Sequence, residues 1–417
     1  MIKMKNSGIE WIGEIPGDWK VERLQWYIEE VKVSNNPMQT DRVLSLTNKA
    51  GVIPYEEKGA QGNVAKEDYT QYKLAYPNTI VANSMNILIG SVGICNYFGC
   101  VSPVYYVFKP TQKANLFFIN YIMQTISFQK ELRRYANGIL EIRLRVSANG
   151  ILKRKIAIPS FEKQKSVVDV INKKCAAVER LIENQQKQIE KLKEYKQSVI
   201  TEAVTKGLDP SVPMKDSGIE WVGNIPSHWR VSPNKYLMKK QKDVCSIYKG
   251  DNVLSLTMKG VVIRDLDAGG KMPSSFDGYQ KIKRGNLLMC LFDIDVTPRC
   301  VGLIECDGVT SPAYSQFIMS TRALASYYNY YYLMVDYTKE LLHMAKNLRH
   351  SLTEDQFGLI LSPQPPISEQ QQIADYLDKK CAEIDKLISV KQQKIDKLNE
   401  YKKSLIYEYV TGKKEVG

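Results

Sequence analysis

The stretch CAAVERLIENQQKQIEKLKEYKQSV, residues 175–199, decides the fold of this chain. It lies within Glu162–Lys206, a segment without glycine or proline. Its apolar residues recur at alternating steps of three and four, the heptad spacing of a helix that packs along a partner helix. The apolar positions of this predicted seam are Cys175, Val178, Ile182, Ile189, Leu192 and Val199, and polar Gln185 and Lys196 fill the rest.

The partner helix is predicted 206 residues further along the same chain. Adding 206 to each position gives a second seam of the same type, interrupted by Lys391 and Lys402. Its apolar positions are Cys381, Ile384, Ile388, Ile395, Leu398 and Leu405. Two unrelated surface helices would not share their polar interruptions, so we favour an internal repeat over two ordinary amphipathic helices. Polar seam residues cost stability but can fix register and partner number.

Length, charge and cysteine usage narrow the class of protein. The chain has 417 residues, enough for two or three domains, and a net charge of +13, which favours a polyanionic partner. It has no apolar run long enough to span a membrane, and its start lacks a signal-peptide pattern. Eight scattered cysteines, no Cys-x-x-Cys pair and three histidines argue against zinc and favour reduced thiols. These features predict a cytoplasmic protein.

The two halves share more than their helices. The box GIEWIGEIP at residues 8–16 returns as GIEWVGNIP at 218–226, and each copy is followed by a tryptophan, Trp19 or Trp229. We expect these tryptophans to anchor a core rather than to stack on bases. Apolar β-rich runs predict strands at Val43–Thr47, Val253–Thr257, Thr79–Ile89 and Asn286–Phe292.

A Ser-Pro-x-Tyr motif also occurs twice, at Ser102–Tyr105 and Ser311–Tyr314. The proline predicts a strand edge or an entry turn. Neither serine lies in a Gly-x-Ser-x-Gly elbow, and no histidine accompanies both copies, so we do not expect a catalytic nucleophile. Proline precedes both long helices, Ser368 is the expected N-cap of the second, and Gly207 and Gly412 mark the helix ends.

Between the shared motifs the halves diverge, and the divergent segments are basic. Lys and Arg neutralise phosphates, and Arg also reads base edges. The candidate DNA-binding residues are Lys49, Lys130, Arg133, Arg134, Arg143 and Arg145 in the first half, and Lys259, Lys281, Lys283, Arg284, Lys339, Lys346 and Arg349 in the second. For any one of them a solvated surface charge is the alternative. A shared scaffold with differing contact segments predicts two different ligand surfaces.

The order of these motifs, repeated in both halves, resembles the DNA-specificity subunit of type I restriction-modification enzymes over essentially the whole chain. The resemblance rests on the Gly-Ile-Glu-Trp-x-Gly-x-Ile-Pro box, the Ser-Pro-x-Tyr motif and the Pro-Pro-Ile-Ser-Glu-Gln helix entry, of which the first copy lacks the second proline. It implies an α+β fold: two mixed α/β target-recognition domains separated by two long conserved helices in an antiparallel coiled coil, with a pseudo-two-fold internal repeat. The implied boundaries are 1–158 for the first recognition domain, 159–207 for the first spacer helix, 208–213 for a linker, 214–364 for the second recognition domain, 365–412 for the second spacer helix and 413–417 for a tail.

The resemblance also implies a function. Each recognition domain would read one half of a bipartite double-stranded DNA target, while the helices would set the spacing and dock two modification (methyltransferase) subunits. S-adenosylmethionine would bind those subunits, and ATP and Mg²⁺ would bind the restriction (endonuclease) subunits. This chain would be non-catalytic, without cofactor or metal. It contains no Asn-Pro-Pro-Tyr methyltransferase motif and no phosphate-binding loop. A standalone two-site DNA-binding protein, an enzyme with an unrecognised site and a coiled-coil adaptor are the alternatives.

Two geometric expectations follow from the repeat. A seam of 25 residues is roughly 37 Å long at about 1.5 Å per residue, close to the roughly 34–36 Å turn of B-DNA. We therefore expect the helices to set a half-site spacing of about one turn. Because the box at 214–231 follows the first helix directly, the box at 4–21 should lie near the end of the second, around Tyr409–Gly412.

Overall fold

The computed structural model describes residues 3–47, 51–59, 68–138, 144–267, 273–345 and 350–416. The chain divides into two compact units. The first unit comprises Met1–Gln185 and Gln393–Gly417, and the second comprises Gln186–Gln392. Each unit therefore contains a globular region and one part of each of the two long helices.

The first unit is built from short strands followed by helices. Its described strands are β1 (Met4–Asn6), β2 (Glu14–Pro16), β3 (Lys20–Arg23), β4 (Ile28–Val31), β5 (Leu44–Thr47), β6 (Gly51–Pro54), β7 (Lys73–Ala75), β8 (Thr79–Asn83), β9 (Val92–Cys95), β10 (Gly99–Val101), β11 (Tyr105–Pro110) and β12 (Lys155–Ile158). Its helices are α1 (Leu116–Gln124), α2 (Ile126–Arg133), α3 (Ala148–Leu152) and the first part of α4 (Phe161–Lys206).

The second unit follows the same order of elements. Its described strands are β13 (Met214–Asp216), β14 (Asn224–Pro226), β15 (Arg230–Pro233), β16 (Met238–Gln241), β17 (Leu254–Thr257), β18 (Gly260–Ile263), β19 (Gln280–Ile282), β20 (Leu287–Met289), β21 (Val301–Leu303), β22 (Gly308–Thr310), β23 (Ser315–Met319) and β24 (Leu361–Gln364). Its helices are α5 (Ala325–Tyr337), α6 (Glu340–Met344), α7 (Glu354–Leu359) and the first part of α8 (Ile367–Val410).

A four-stranded antiparallel sheet forms the centre of each unit. The strand order is β4-β11-β8-β9 in the first unit and β16-β23-β20-β21 in the second. The inner strands β8 and β20 are buried along their whole length, which explains why their sequences are mainly apolar. A separate antiparallel pair, β3–β12 or β15–β24, leads directly into each long helix. Trp19 and Trp229 are both buried, as the sequence predicts.

Some local predictions fail. The run Thr79–Ile89 is not one strand, because Asn83 ends β8: its side-chain Oδ1 accepts hydrogen bonds from the backbone N–H groups of Met85 and Asn86. A 3-10 helix, Ile87–Ile89, follows. Ser368 is not an N-cap either. Helix α8 begins one residue earlier, and the carbonyl of Pro366 accepts the backbone N–H groups of Glu369 and Gln370.

The two long helices pack along the predicted seam. Every predicted apolar seam residue is buried or half-buried in its unit. In the second unit Lys196 bonds to Asp385 and Lys391 bonds to Gln188. The partner number on α8 rises as the number on α4 falls, so the helices run antiparallel there. In the first unit the side chain of Lys402 bonds to Glu179. The three seam lysines thus find partners across the helix pair, consistent with a coiled coil.

The ends of the long helices close onto the repeated boxes. Gly412 ends α8 with a positive φ of 72°, and a Cβ built there would overlap the Pro16 ring and lie 3.3 Å from Trp19 Cε2. Gly207 ends α4 in the same way, and its Cβ would lie 3.3 Å from Trp229 Cζ2. The expectation that the first box lies at the end of the second helix is confirmed.

One buried glutamine fastens the start of each long helix to its globular region. Gln370 donates to the carbonyls of Arg322 (2.9 Å) and Pro365 (2.8 Å) and accepts from the Leu324 N–H (2.7 Å). Gln164 makes the same three bonds, to the Lys113 and Pro159 carbonyls and from the Asn115 N–H. Both amide N–H groups and the amide oxygen of each glutamine are thus hydrogen-bonded to backbone, and two of the three bonds reach the segment just before α1 or α5.

Candidate nucleic-acid interface

The loop after β8 lies at one end of the sheet in the first unit, where it joins β8 to β9. Its 3-10 helix is anchored by Ile87, which is fully buried, and closed by Gly90 in the left-handed conformation (φ 86°). Ile89 N–H bonds to the Asn86 carbonyl, and so does Ser91 N–H. The loop is therefore held by its own backbone, yet the Ile89 side chain is 67% exposed.

Two further segments meet this loop. The backbone N–H of Val146 donates a hydrogen bond to the Ser84 carbonyl (3.1 Å). The preceding residue, Arg145, exchanges two backbone hydrogen bonds with Asn137. Helix α2 packs on the 3-10 helix, with the Gln129 side chain against Gly90. We name residues 84–91, helix α2 and residues 145–146 the first loop edge.

The second unit has a corresponding edge after β20. Residues 291–299 form a loop in which Asp293 has a positive φ of 46° and its carbonyl accepts from the N–H groups of Val296 and Thr297. Ile294 is buried, whereas Val296 is 73% exposed. We name residues 291–299, the turn 258–260 and residues 350–352 the second loop edge.

Hydrogen bonds join the three segments of the second loop edge. Leu352 N–H donates to the Leu291 carbonyl, and Ile294 N–H donates to the His350 carbonyl. Arg299 Nη1 donates to the Met258 carbonyl (3.2 Å), which ties the β17–β18 turn to the loop. The edge is thus a single braced surface rather than three independent loops.

Several predicted DNA-binding cations lie on these edges. Lys130 and Arg133 lie exposed on α2, and Arg145 is exposed beside the Ser84 carbonyl. In the second unit Lys259 is exposed in the β17–β18 turn. Exposed cations at a rigid edge can contact phosphates without first paying for loop ordering.

Lys339 has a different position from the other candidates. It is half-buried with a positive φ of 56°, and its Nζ donates to Asp336 Oδ1 (2.8 Å) and to the Thr297 carbonyl (2.7 Å). The other oxygen of Asp336 accepts the Cys300 N–H. Lys339 therefore stabilises the second loop edge from the protein side, because its ammonium group is bonded to Asp336 and to the loop carbonyl of Thr297.

Other candidates are paired with acidic residues or lie away from the loop edges. Arg134 pairs with Glu10 (2.7 Å) and with Glu131 (3.5 Å). In the second unit Lys281, Lys283 and Arg284 precede β20, whereas the loop edge follows it, so the length of this strand separates them. Lys49, Arg143, Lys346 and Arg349 lie outside the described residues.

Sequence reasoning missed the apolar tips of these edges and the two helix-fastening glutamines. Ile89 lies in a segment predicted as a strand, and Val296 follows one. A signal was available: Asn83, Ile87 and Ile89 align with Cys290, Ile294 and Val296 at one constant offset of 207. The glutamines recur at the helix offset of 206.

The buried thiols near the second loop edge are chemically quiet. Burial raises the pKa of Cys290, and burial followed by the Asp336 carboxylate raises that of Cys300. Both therefore stay protonated at neutral pH and are poor nucleophiles. Within the described ranges no group of three or more His, Cys, Asp or Glu side chains is placed to hold a metal ion. No helix among those residues has the length and apolar character needed to cross a membrane.

Two curated proteins that match nearly the whole chain are named as members of one class. The type I restriction enzyme MjaVIII specificity subunit of Methanocaldococcus jannaschii is 23% identical over 434 aligned positions, covering 96% of this chain and 93% of that protein. A second protein of the same organism, provisionally named the type I restriction enzyme MjaX specificity subunit, is also 23% identical and is covered to 95%. This chain resembles the specificity subunits of type I restriction enzymes. The resemblance drawn from the sequence motifs is thereby confirmed.

The fold agrees with this comparison. A solved chain from a study of complex assembly and conformational transition in a type I restriction-modification system superimposes with a TM-score of 0.69 at 10% identity. The match covers 95% of this chain and 98% of that chain. No family model matches the sequence. The two M. jannaschii relatives are named as specificity subunits, the class for which the sequence predicts no catalytic role.

Proposed function

We propose that this chain is the DNA sequence-recognition subunit of a type I restriction-modification complex. The observation that carries the proposal is the pair of loop edges. Each unit builds its loop edge at the corresponding end of its own four-stranded sheet, yet the exposed side chains of the two edges differ. A shared frame with different surface residues is what two unlike half-sites require, because base readout depends on side-chain placement. Among the predicted cations we favour Lys130, Arg133, Arg145 and Lys259 for phosphate or base contact.

We assign one half-site to each globular region, with recognition domains at 1–158 and 214–364 and spacer helices at 159–207 and 365–412. In this proposal the helix pair sets the distance between half-sites. Removal of one heptad from both helices should shorten the preferred spacer, and an unchanged spacer would contradict the proposal. The Lys196–Asp385 and Lys402–Glu179 pairs support a fixed register, since each joins a seam lysine to one carboxylate.

The same helices offer a docking surface for two modification subunits. In the first unit Leu181 and Tyr401, each 49% exposed, flank the Lys402–Glu179 pair along their helices. The Lys196–Asp385 pair of the second unit is flanked in the same way, by Tyr195 (49%) and Leu387 (51%). Exposed apolar pairs beside polar rims are typical of protein interfaces.

Two equivalent Leu–Tyr pairs in one chain fit two copies of one partner. We therefore expect L181E to abolish binding of one modification subunit and L181E with L387E to abolish both. Q197E, at an exposed position on the other side of the seam from Tyr195, is the matched control. Native mass spectrometry of the reconstituted complex reads the stoichiometry directly, and full occupancy in the double variant would contradict the docking proposal.

The partners carry the cofactors in this proposal. S-adenosylmethionine belongs to the modification subunits, and ATP and Mg²⁺ belong to the restriction subunits. The proposed target, genomic DNA, places the complex in the cytoplasm.

Reconstitution tests the function as a whole. The chain is combined with its modification subunit and S-adenosylmethionine, genomic DNA is methylated, and methyl-adenines are mapped by single-molecule sequencing. One bipartite motif with a fixed spacer is the expected result. Methylation that is unchanged when this chain is omitted would refute the proposal, and tight sequence-specific binding by this chain without partners would favour a standalone two-site binder.

A further inference from the structure

We propose that Ile89 and Val296 are the apolar reading tips of the two loop edges, and that each contacts the C5-methyl group of a thymine in the major groove of its half-site. This inference rests on the proposed function and adds to it the chemical group that is read. It concerns residues that no charge-based prediction selects.

The first observation is that the two tips match when each is counted from the last residue of the inner strand that pairs with the next strand, although the second loop is two residues longer before that next strand. Ile89 and Val296 stand at the offset of 207 that also relates Ile87 to Ile294. In both loops the residue two positions earlier is buried, at 0% and 1% exposure, while the tip is 67% and 73% exposed. A single exposed apolar residue is ordinary on a protein surface and decides nothing. An exposed β-branched residue two positions after a buried isoleucine, at the same distance from that paired residue of the inner strand in both units, is a shared property of the loops.

The second observation is that both tips are held in place. Ile89 is fixed between the Ile87 anchor and the left-handed Gly90, with the Asn83 side chain capping the loop. Val296 is fixed by the Asp293 turn, and Lys339 bonds the next carbonyl, that of Thr297. β-Branched side chains have few rotamers, so a tip of this kind loses little entropy when it binds.

The third observation is the charge around the tips. Lys130, Arg133 and Arg145 lie on the first loop edge, and Lys259 lies on the second. The carboxylate of Asp295, next to Val296, is paired with His350 (3.1 Å). Cations that flank an apolar tip match the phosphate rims of a groove, and among base edges the thymine methyl is the apolar feature of the major groove.

The test uses the reconstituted complex and the duplex identified by methylome mapping. Each thymine is replaced in turn by deoxyuridine, which removes only the C5-methyl group. For the wild-type complex we expect one position in each half-site at which the substitution weakens binding about fourfold, the effect of one buried methyl. In I89A the thymine–uracil difference should disappear in one half-site only, and in V296A in the other only.

Matched controls are provided by W26A and Y236A. Trp26 and Tyr236 are related by the box offset of 210, are 59% and 61% exposed, and lie at the opposite end of the sheet from the loop edges. These variants should keep both thymine–uracil differences. If wild-type complex binds the duplex but no thymine shows methyl dependence, or if I89A and V296A keep it, the inference is wrong while the proposed function stands. Absence of any sequence-specific binding would instead refute the proposed function.

Discussion

The glutamine that fastens each long helix to its globular region can be tested by Q370A. The substitution removes three hydrogen bonds, of 2.7, 2.8 and 2.9 Å, and leaves the Leu324 N–H without its partner in a site where the glutamine is fully buried. At about 1 kcal/mol for each bond, we expect the free energy of unfolding of the second unit to fall by about 3 kcal/mol. Q164A should weaken the first unit in the same way.

The neighbouring Gln371 provides the control. Its side chain bonds only one turn along its own helix, to Asp375, at an exposed site, so Q371A should cost less than about 0.5 kcal/mol. Urea unfolding followed by circular dichroism gives the stability difference, and hydrogen exchange of a peptide covering residues 320–330 reports the Leu324 amide. A loss below about 1 kcal/mol for Q370A, or equal losses in the two variants, would show that the bonds do not fasten the helix.

Three further outcomes are expected. G412V should lower the free energy of unfolding by at least about 2 kcal/mol, because the branched side chain meets the Pro16 ring at a positive φ; unchanged thermal stability would contradict this contact. K402E should destabilise the first unit and E179K should restore it, with a coupling of about 0.3–1 kcal/mol in a double-mutant cycle, and strict additivity would argue against the pair. Burial raises the pKa of Tyr331 to about 12, so this tyrosine ionises in the unfolded chain before it ionises in the folded one, and the free energy of unfolding should fall as pH rises from 10 to 12. The fall should be smaller in Y331F. Equal urea midpoints for the wild-type chain at pH 9 and pH 11 would contradict this prediction.

The long helices were predictable because their pattern is local and repeated. The seam from Cys175 to Val199 uses one periodicity, and its copy starting at Cys381 shows which helix is the partner. The pairing of Lys402 with Glu179 was not predictable in detail, since the sequence of α4 contains several acidic residues and does not show which of them faces the lysine. Register requires the two helices to be aligned in space, and the seam alone leaves neighbouring registers open.

The loop edges were harder to predict, because they are made by backbone bonds between distant segments. Nothing in residues 84–91 shows that the Ser84 carbonyl accepts the Val146 N–H. Charge pattern selected Lys130 and Lys259 correctly as exposed cations, but it also selected Lys339, whose partner Asp336 lies three residues earlier on the same turn. Whether a cation faces solvent or a buried carboxylate depends on which side of the helix end is packed against the rest of the domain. That packing is set by tertiary structure and cannot be read from the local sequence.

The closure of each helix end on a repeated box has a consequence for how the chain shares its stability. Helix α4 starts at the core of the first unit, and its end supplies Ile200 and Val204 to the core of the second. Helix α8 does the reverse, supplying Leu405 and Val410 to the core of the first. Neither half of the sequence therefore contains a complete hydrophobic core. Each half of the sequence supplies part of the core that the other half needs. A break in either helix should therefore lower the stability of both globular regions.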